Sequence, residues 1–238
     1  MYFGKILKKL LDVIYPRRCP VCDRPVKIGT RICIDCEKTL VYTTGSLCMK
    51  CGKKLYENDK EYCDDCKNNK HIYKAGRSLY EYDSISKSIY KFKYGGRPEY
   101  GEFYADKMAE KYGDLLKMWG IEMIIPVPLH SSKLKKRGYN QADVLAKRLA
   151  MKTHIPYCRD LVVRKRNTLP LKELGAKERQ INLKNAFIVG YNDVKLNKVL
   201  VVDDIYTTGC TIDEISCVLS NEGVSDIYFL SLSIGAGI

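Results

Sequence analysis

The sequence predicts an α/β domain, a mainly parallel sheet flanked by helices, preceded by a small cysteine-rich module. Three observations predict it. Eight of the eleven cysteines fall before residue 67, in four CxxC pairs. Beyond residue 71, short apolar runs rich in β-branched residues alternate with segments of helical periodicity, the pattern of strands joined by crossover helices. The run Val199, Leu200, Val201, Val202 suits a strand buried on both faces, and it passes through Asp203 and Asp204 into a turn of small hydroxyls and glycine, VLVVDDIYTTGCT.

At the start of the chain, Phe3, Ile6, Leu7, Leu10 and Ile14 recur at helical spacing, with Lys5, Lys8 and Lys9 elsewhere on the wheel. Residues 1–15 therefore read as an amphipathic helix docked on the protein. Peripheral contact with an anionic membrane is the other reading, a weak and reversible one, because so short a segment buries little apolar area. Lysines interrupt the hydrophobic part and no small-residue cleavage site follows, so the segment does not read as secretory. No apolar run approaches the ~18 to 20 residues of a transmembrane segment.

Residues 16–70 carry the cysteine pairs: Cys19 with Cys22, Cys33 with Cys36, Cys48 with Cys51, and Cys63 with Cys66. Two thiolates three residues apart can ligate one tetrahedral ion from a tight knuckle, whereas a disulfide between them would be strained, so zinc is the reading. The pairs also repeat. Cys19 to Cys48 and Cys22 to Cys51 are 29 residues, Cys33 to Cys63 and Cys36 to Cys66 are 30. Such a duplication favours two sequential four-cysteine sites over an interleaved cross-brace. So small and lysine-rich a module has little core of its own, so the two zinc ions are expected to be structural and to supply its folding energy. Cys158, Cys210 and Cys217 lie outside the pattern and read as free thiols of a reducing, cytoplasmic protein.

The formal net charge is +13. Residues 1–70 hold 15 basic and 9 acidic side chains, residues 71–190 hold 24 and 12, and residues 191–238 hold 2 and 7. Two zinc sites of four thiolates, each formally −2, would lower the total to +9, which still suggests a polyanionic partner.

The second domain spans 71–238. Leu79, Tyr80 and Tyr82 suggest a strand within Tyr73 to Tyr82. Ile85 to Phe92 reads as a helix capped at Gly95 and Gly96 rather than as the start of an anion loop, and Tyr100 to Leu116 as a second helix. Ile121 to Val127 is a buried strand and Asn140 to Met151 an amphipathic helix. Between them lies a basic loop, Lys133, Lys135, Lys136 and Arg137, at the C-terminal end of a candidate parallel strand, where open α/β sheets bind ligands. Short strands follow at Leu161 to Val163 and Phe187 to Val189, then Val199 to Val202 and Ile227 to Ser233. Thr211 is the expected N-cap of the helix after the acidic pair, and that junction offers backbone N–H groups and a positive helix end to a phosphate.

The opening motif, the stretch IIPVPLHSSKLKKRGYNQA and the RRCPVC entry to the metal module together resemble the ComF/GntX family over essentially the whole chain. Members pair an N-terminal double zinc ribbon with a domain of the type I phosphoribosyltransferase fold. The resemblance implies that DDxxTTGxT binds phosphoribosyl pyrophosphate. Asp203 and Asp204 would address the ribose hydroxyls, and Thr207, Thr208, Gly209, Cys210 and Thr211 would cradle the 5′-phosphate. Lys133, Lys135, Lys136 and Arg137 would receive pyrophosphate with Mg²⁺. Arg164, Arg166, Thr168, Arg179 and Asn182 match the family pattern R-x-R-x-T…R-x-x-N of a hood over the site. Two positions depart from the pattern: Leu171 replaces a usual glutamine, and Thr207 stands where some purine-specific transferases carry an aspartate. The implied activity is a phosphoribosyltransferase of unnamed acceptor acting in DNA uptake, with a competence helicase and other uptake proteins as partners. The alternative is a non-catalytic nucleotide or single-stranded DNA binder on the same scaffold.

Overall fold

The computed structural model describes residues 16–57, 59–165, 183–190 and 195–235. The helix expected over residues 1–15 and the hood positions Arg166, Thr168, Arg179 and Asn182 lie outside them. In each half of the cysteine module the second CxxC pair opens a one-turn helix, α1 (Ile34–Lys38) after Cys33 and α2 (Asp64–Asn68) after Cys63. The rest comprises β1 (Ala75–Glu81), α3 (Tyr82–Tyr94), α4 (Tyr100–Trp119), β2 (Met123–Pro126), α5 (Ser131–Arg137) and α6 (Gln141–Thr153). It continues through β3 (Val162–Arg164), β4 (Phe187–Val189), β5 (Lys198–Tyr206), α7 (Cys210–Asn221) and β6 (Asp226–Ile234).

Four strands form a parallel sheet in the order β1-β6-β5-β2. The register sets Val201 against Ile125 on one side and Phe229 on the other. Strand alternation then divides the core. Leu200, Val202, Tyr228 and Leu230 pack with Phe92, Tyr104 and Leu145 of α3, α4 and α6, while Val199, Val201 and Phe229 pack with Ile212, Ile215 and Leu219 of α7. Val199 to Val202 are all fully buried, as a doubly covered central strand requires.

The two cysteine units lie on opposite faces of this sheet. Cys19, Ile32, Cys36 and Leu40 join the α3–α4–α6 side, whereas Cys48, Cys51, Leu55 and Cys63 join the α7 side. The chain between them closes the β1 edge: Thr43 N–H donates to Leu79 O (3.0 Å) and Glu81 N–H to Val41 O (2.9 Å). On the opposite edge Ile124 N–H donates to Pro156 O (2.8 Å) and Cys158 N–H to Ile124 O (3.1 Å), so both edges are paired over these residues.

Three expectations are corrected. The segments at 161–163 and 187–189 form a separate antiparallel ribbon, Val162 opposite Val189 and Arg164 opposite Phe187, instead of joining the parallel sheet. Their alternate residues Val163 and Ile188 are exposed, which suits a one-sided ribbon and not a doubly covered strand. The basic stretch is a helix, α5, whose N-cap His130 accepts from Ser132 N–H. Finally, α7 starts at Cys210 with Gly209 as its N-cap, ahead of Thr211. The cap reading at the end of α3 stands, with Gly95 N–H donating to Lys91 O (2.7 Å).

Candidate functional site

Gly209 explains why the turn after β5 is so tight. Its φ of +80° lies in the left-handed region, and a Cβ there would stand 2.8 Å from the Tyr206 hydroxyl and 3.0 Å from the His71 ring. The turn and the first residues of α7 line a small concavity formed by Asp203, Ile205 to Thr211 and Ile212. The unpaired N–H groups of the α7 N-terminus belong to the same stretch, so this concavity combines hydroxyls, amides and a positive helix end. Thr207 is exposed, Thr208, Cys210 and Thr211 are half-buried, and the Thr208 hydroxyl lies 3.1 Å from Cys210 Sγ.

The acid pair sits at the tip of β5. Asp204 N–H donates to Asp203 Oδ1 (2.8 Å), and Lys93 Nζ lies 2.9 Å from Asp204 Oδ1 with both side chains largely buried. Burial first, and then the neighbouring Asp204 charge, push the Asp203 carboxyl up to about 7, against the opposing pull of Lys93, the Asp204 amide and Arg164. One acid of the pair therefore gains or loses a proton near neutrality and can both donate to and accept from a hydroxyl.

The basic residues reach this tip from β2 and β3. Val127 N–H donates to Val202 O (2.9 Å), so the chain leaving β2 for α5 runs beside the start of the acid pair. Burial holds the Lys133 ammonium below its ordinary range, and the charges of Arg164 and Arg137 push the same way, which places these three cations together. Arg164 in turn is lowered by burial and supported by Asp203, and its guanidinium lies 5.3 Å from the Phe187 ring centroid. Arg137 is held by Gln141 Oε1 (3.1 Å) and the Tyr94 hydroxyl (3.2 Å), its guanidinium over the Tyr94 ring. Lys135 and Lys136 are exposed on α5, and among the described residues nothing joins them to the acid pair.

Sequence reasoning passes over three participants. Lys93 is absorbed into the cap of α3, although KFKYGGR carries three basic residues in seven against four in seven on α5. His71 and Asp213 bear no motif at all, yet His71 Nδ1 lies 2.6 Å from Asp213 Oδ2 in the first turn of α7.

The eight N-terminal cysteines form two sequential sets, Cys19, Cys22, Cys33, Cys36 and Cys48, Cys51, Cys63, Cys66, each with its sulfurs within 4.8 Å of one another. Sγ separations of 3.4 Å (Cys22–Cys33), 3.7 Å (Cys33–Cys36) and 3.6 Å (Cys51–Cys63) approach the roughly 3.8 Å edge of a tetrahedron with Zn–S bonds of about 2.3 Å. Both sets fit structural zinc, with four thiolates and no position left for substrate. Among the described residues, no helix is long and apolar enough to cross a membrane.

Comparison with known proteins bears on both halves. Residues 10–67 match a double zinc ribbon domain. Competence protein F of Haemophilus influenzae is 32% identical over 228 residues, covering 84% of this chain and 96% of that protein. The DNA utilization protein YhgH of Shigella flexneri is 28% identical, covering 89% and 94%, and competence protein ComFC of Bacillus subtilis is 26% identical, covering 79% and 77%. Among solved structures, a purine phosphoribosyltransferase from Pyrococcus horikoshii is 17% identical with a TM-score of 0.36, covering 56% of this chain and 73% of that one, a likeness too slight to carry any inference. Identity of 32% to competence protein F over 84% of this chain decides the matter: the chain belongs to the competence protein F family.

Proposed function

We propose that this protein serves DNA uptake or utilisation and that its sheet domain binds phosphoribosyl pyrophosphate with Mg²⁺, acting as a phosphoribosyltransferase when a suitable acceptor is present. The names of its relatives support the setting. One observation carries the chemistry: an acid pair, a glycine turn with a helix N-terminus and a cluster of cations meet at one end of a parallel sheet.

In this reading the 207–211 turn and the start of α7 take the 5′-phosphate. Asp203 and Asp204 engage the ribose hydroxyls, so Lys93 yields part of its hold on Asp204 as the sugar enters. Lys133 and Arg137 hold the diphosphate, with Lys135 and Lys136 available from the exposed side of α5, and Arg164 stands between sugar and diphosphate. Arg166 and Arg179 complete the site from the proposed hood. Mg²⁺, when bound, neutralises diphosphate charge. Asp203 and Asp204 would help to hold that ion through the ribose hydroxyls they engage. A nitrogen of the acceptor attacks ribose C1 while the C1–oxygen bond to diphosphate breaks and its electron pair leaves with pyrophosphate, and the proton that nitrogen carried passes to water, Thr207 offering no base. The cations stabilise that leaving anion, and the chain supplies position and charge and no nucleophile of its own.

A second reading is binding without turnover, joined to a grip on single-stranded DNA. It is favoured by a groove beside the second cysteine unit lined by Lys50, Lys67, Lys70 and Lys74 with Tyr62, and by the lack of an acid at Thr207. Calorimetry with phosphoribosyl pyrophosphate, with and without Mg²⁺, tests the first reading, together with pyrophosphate release over a panel of bases. Binding that Asp204→Asn abolishes is expected; its absence in the wild type sinks the reading. Binding without release across the panel, with DNA affinity that falls steeply with salt, selects the second.

A further inference from the structure

The second cysteine unit and the phosphate turn share a wall. The chain leaving Cys66 runs through His71 and Tyr73 directly beneath the turn. The His71 side chain is 3% exposed, and its Nδ1–H donates to Asp213 Oδ2 at 2.6 Å, while the next backbone amide, of Ile72, donates to Asp213 Oδ1 at 2.8 Å. One carboxylate in the first turn of α7 is thus fastened twice to the segment emerging from the zinc unit. The His71 ring stacks on Tyr73 (4.9 Å between centroids), and the Tyr73 hydroxyl lies 2.7 Å from that of Tyr206, the residue that opens the turn. Both the His71 ring and the Tyr206 hydroxyl press on Gly209, leaving no room for a Cβ. His71 Nε2 is buried and has no hydrogen-bond partner among the described residues, so Asp213 is the polar anchor of the ring.

Among the described residues the first unit has no such link. It leans on α4 and α6 through Arg31, Asp106 and Arg148, on the other face of the sheet.

We infer that His71 is a positioning residue for the phosphate turn, through which the fold of the second cysteine unit, and not the first, sets the shape of residues 207–211. The ligand named in the test rests on the proposed sugar-phosphate reading; the shape of the turn does not. Integrity of Cys48, Cys51, Cys63 and Cys66 then governs anion affinity at a turn far from all four in sequence, and loss of that zinc loosens the turn while the sheet stays folded.

The test uses the full chain and two readouts. Amide hydrogen exchange over 207–213 reports the turn itself, and titration with ribose 5-phosphate reports its use. His71→Ala is expected to speed exchange over 207–213 while β5 and β6 stay protected, and to weaken ribose 5-phosphate about five- to tenfold, the net scale of one ordinary hydrogen bond. His71→Asn, whose amide can reproduce the Nδ1–H donor, is expected to restore both. Cys66→Ser should behave as His71→Ala does, whereas Cys22→Ser should release zinc from the first unit and leave exchange over 207–213 unchanged. Unchanged exchange in both His71→Ala and Cys66→Ser, or equal loosening in Cys22→Ser, overturns the inference. A wild type that ignores ribose 5-phosphate defeats the ligand reading alone, since the exchange pattern still decides the coupling.

Discussion

The two cysteine units are near-repeats in sequence and differ in what holds them. Beyond its buried Cys19, Ile32, Cys36 and Leu40, the first is docked by charge: Asp106 of α4 receives Arg31 from the unit and Arg148 from α6, with Lys152 at 3.6 Å, and Lys107 reaches Glu37 at 3.2 Å. The second, besides its buried Cys48, Cys51, Leu55 and Cys63 and one exposed Lys54–Glu81 pair, is docked by backbone contact. Gly76 N–H of β1 donates to Lys50 O in the knuckle (2.8 Å), and Gly52, with a φ of +74°, lets the knuckle lie so close that a Cβ would stand 2.8 Å from Gly76 O. Cysteine burial differs by one residue: Cys48, Cys51 and Cys63 are buried in the second unit with Cys66 half-buried, and Cys19 and Cys36 are buried in the first with Cys22 and Cys33 half-buried. A duplicated metal knuckle thus takes its role from the surface it leans on. Charge docking yields to salt and acid, whereas backbone docking does not.

The largest break in this comparison comes from removing a ligand. Cys51→Ser takes away a thiolate that is 1% exposed and is expected to release one zinc per chain, costing on the order of 5 kcal/mol or more, because structural zinc supplies folding energy directly. Zinc release followed with a colorimetric chelator, beside thermal melting, checks it; full retention of both metals would mean that three thiolates suffice. Next, Gly52→Ala should leave both zinc ions bound yet cost about 3 kcal/mol, since it forces a left-handed residue and pushes a Cβ into the β1 backbone. Chemical denaturation measures it, and a loss below ~1 kcal/mol would show that the knuckle can shift away from β1.

Much of this arrangement is legible in the residues and some of it is not, for reasons that differ by element. The metal sets are legible because chelation by CxxC is local and its spacing is stated outright by the chain. Strand β5 is legible because four consecutive β-branched or leucine residues leave no solvent face. Helix α5 reads as a loop because SSKLKKR carries a single apolar side chain and so no amphipathic period. The pairing of β3 with β4 is a tertiary choice between two three-residue segments, and nothing within either announces the partner. His71 and Asp213 are 142 residues apart, and the Lys93–Asp204 pair likewise depends on two elements meeting in space. Motif reading finds the groups that would face a ligand and misses those that hold them.

The smaller predictions set two aspartates against each other, Asp203 at the tip of β5 and Asp106 at the docking of the first unit. Asp203 is raised to about 7, chiefly by burial. Its ordinary value in an unfolded chain is about 3.9, so the folded state disfavours its charge, and stability falls as pH rises from about 4 to about 7, then levels off. Asp203→Asn removes that penalty and is expected to make the protein more stable than wild type by ~2 kcal/mol at pH 8, with the gain vanishing near pH 4. Denaturation across that range checks it, and an equal gain at both ends would trace the effect to packing and not to charge. Asp106 runs the other way. Burial raises its carboxyl, but the hydrogen bonds from Arg148 and Arg31 outweigh this and hold it below the usual range. A lowered folded value contributes stability that is complete above the unfolded value and is lost as pH falls through the folded one. Asp106→Asn is therefore expected to cost ~1 kcal/mol at neutral pH and low salt, and to cost progressively less in acid or in high salt, because the partly exposed arginine contacts it breaks are already weakened there. Hydrogen exchange should show the loosening within residues 16–40 and spare residues 45–70. Loosening of both units together would mean that the sheet between them transmits the change, and the two dockings would then act as one.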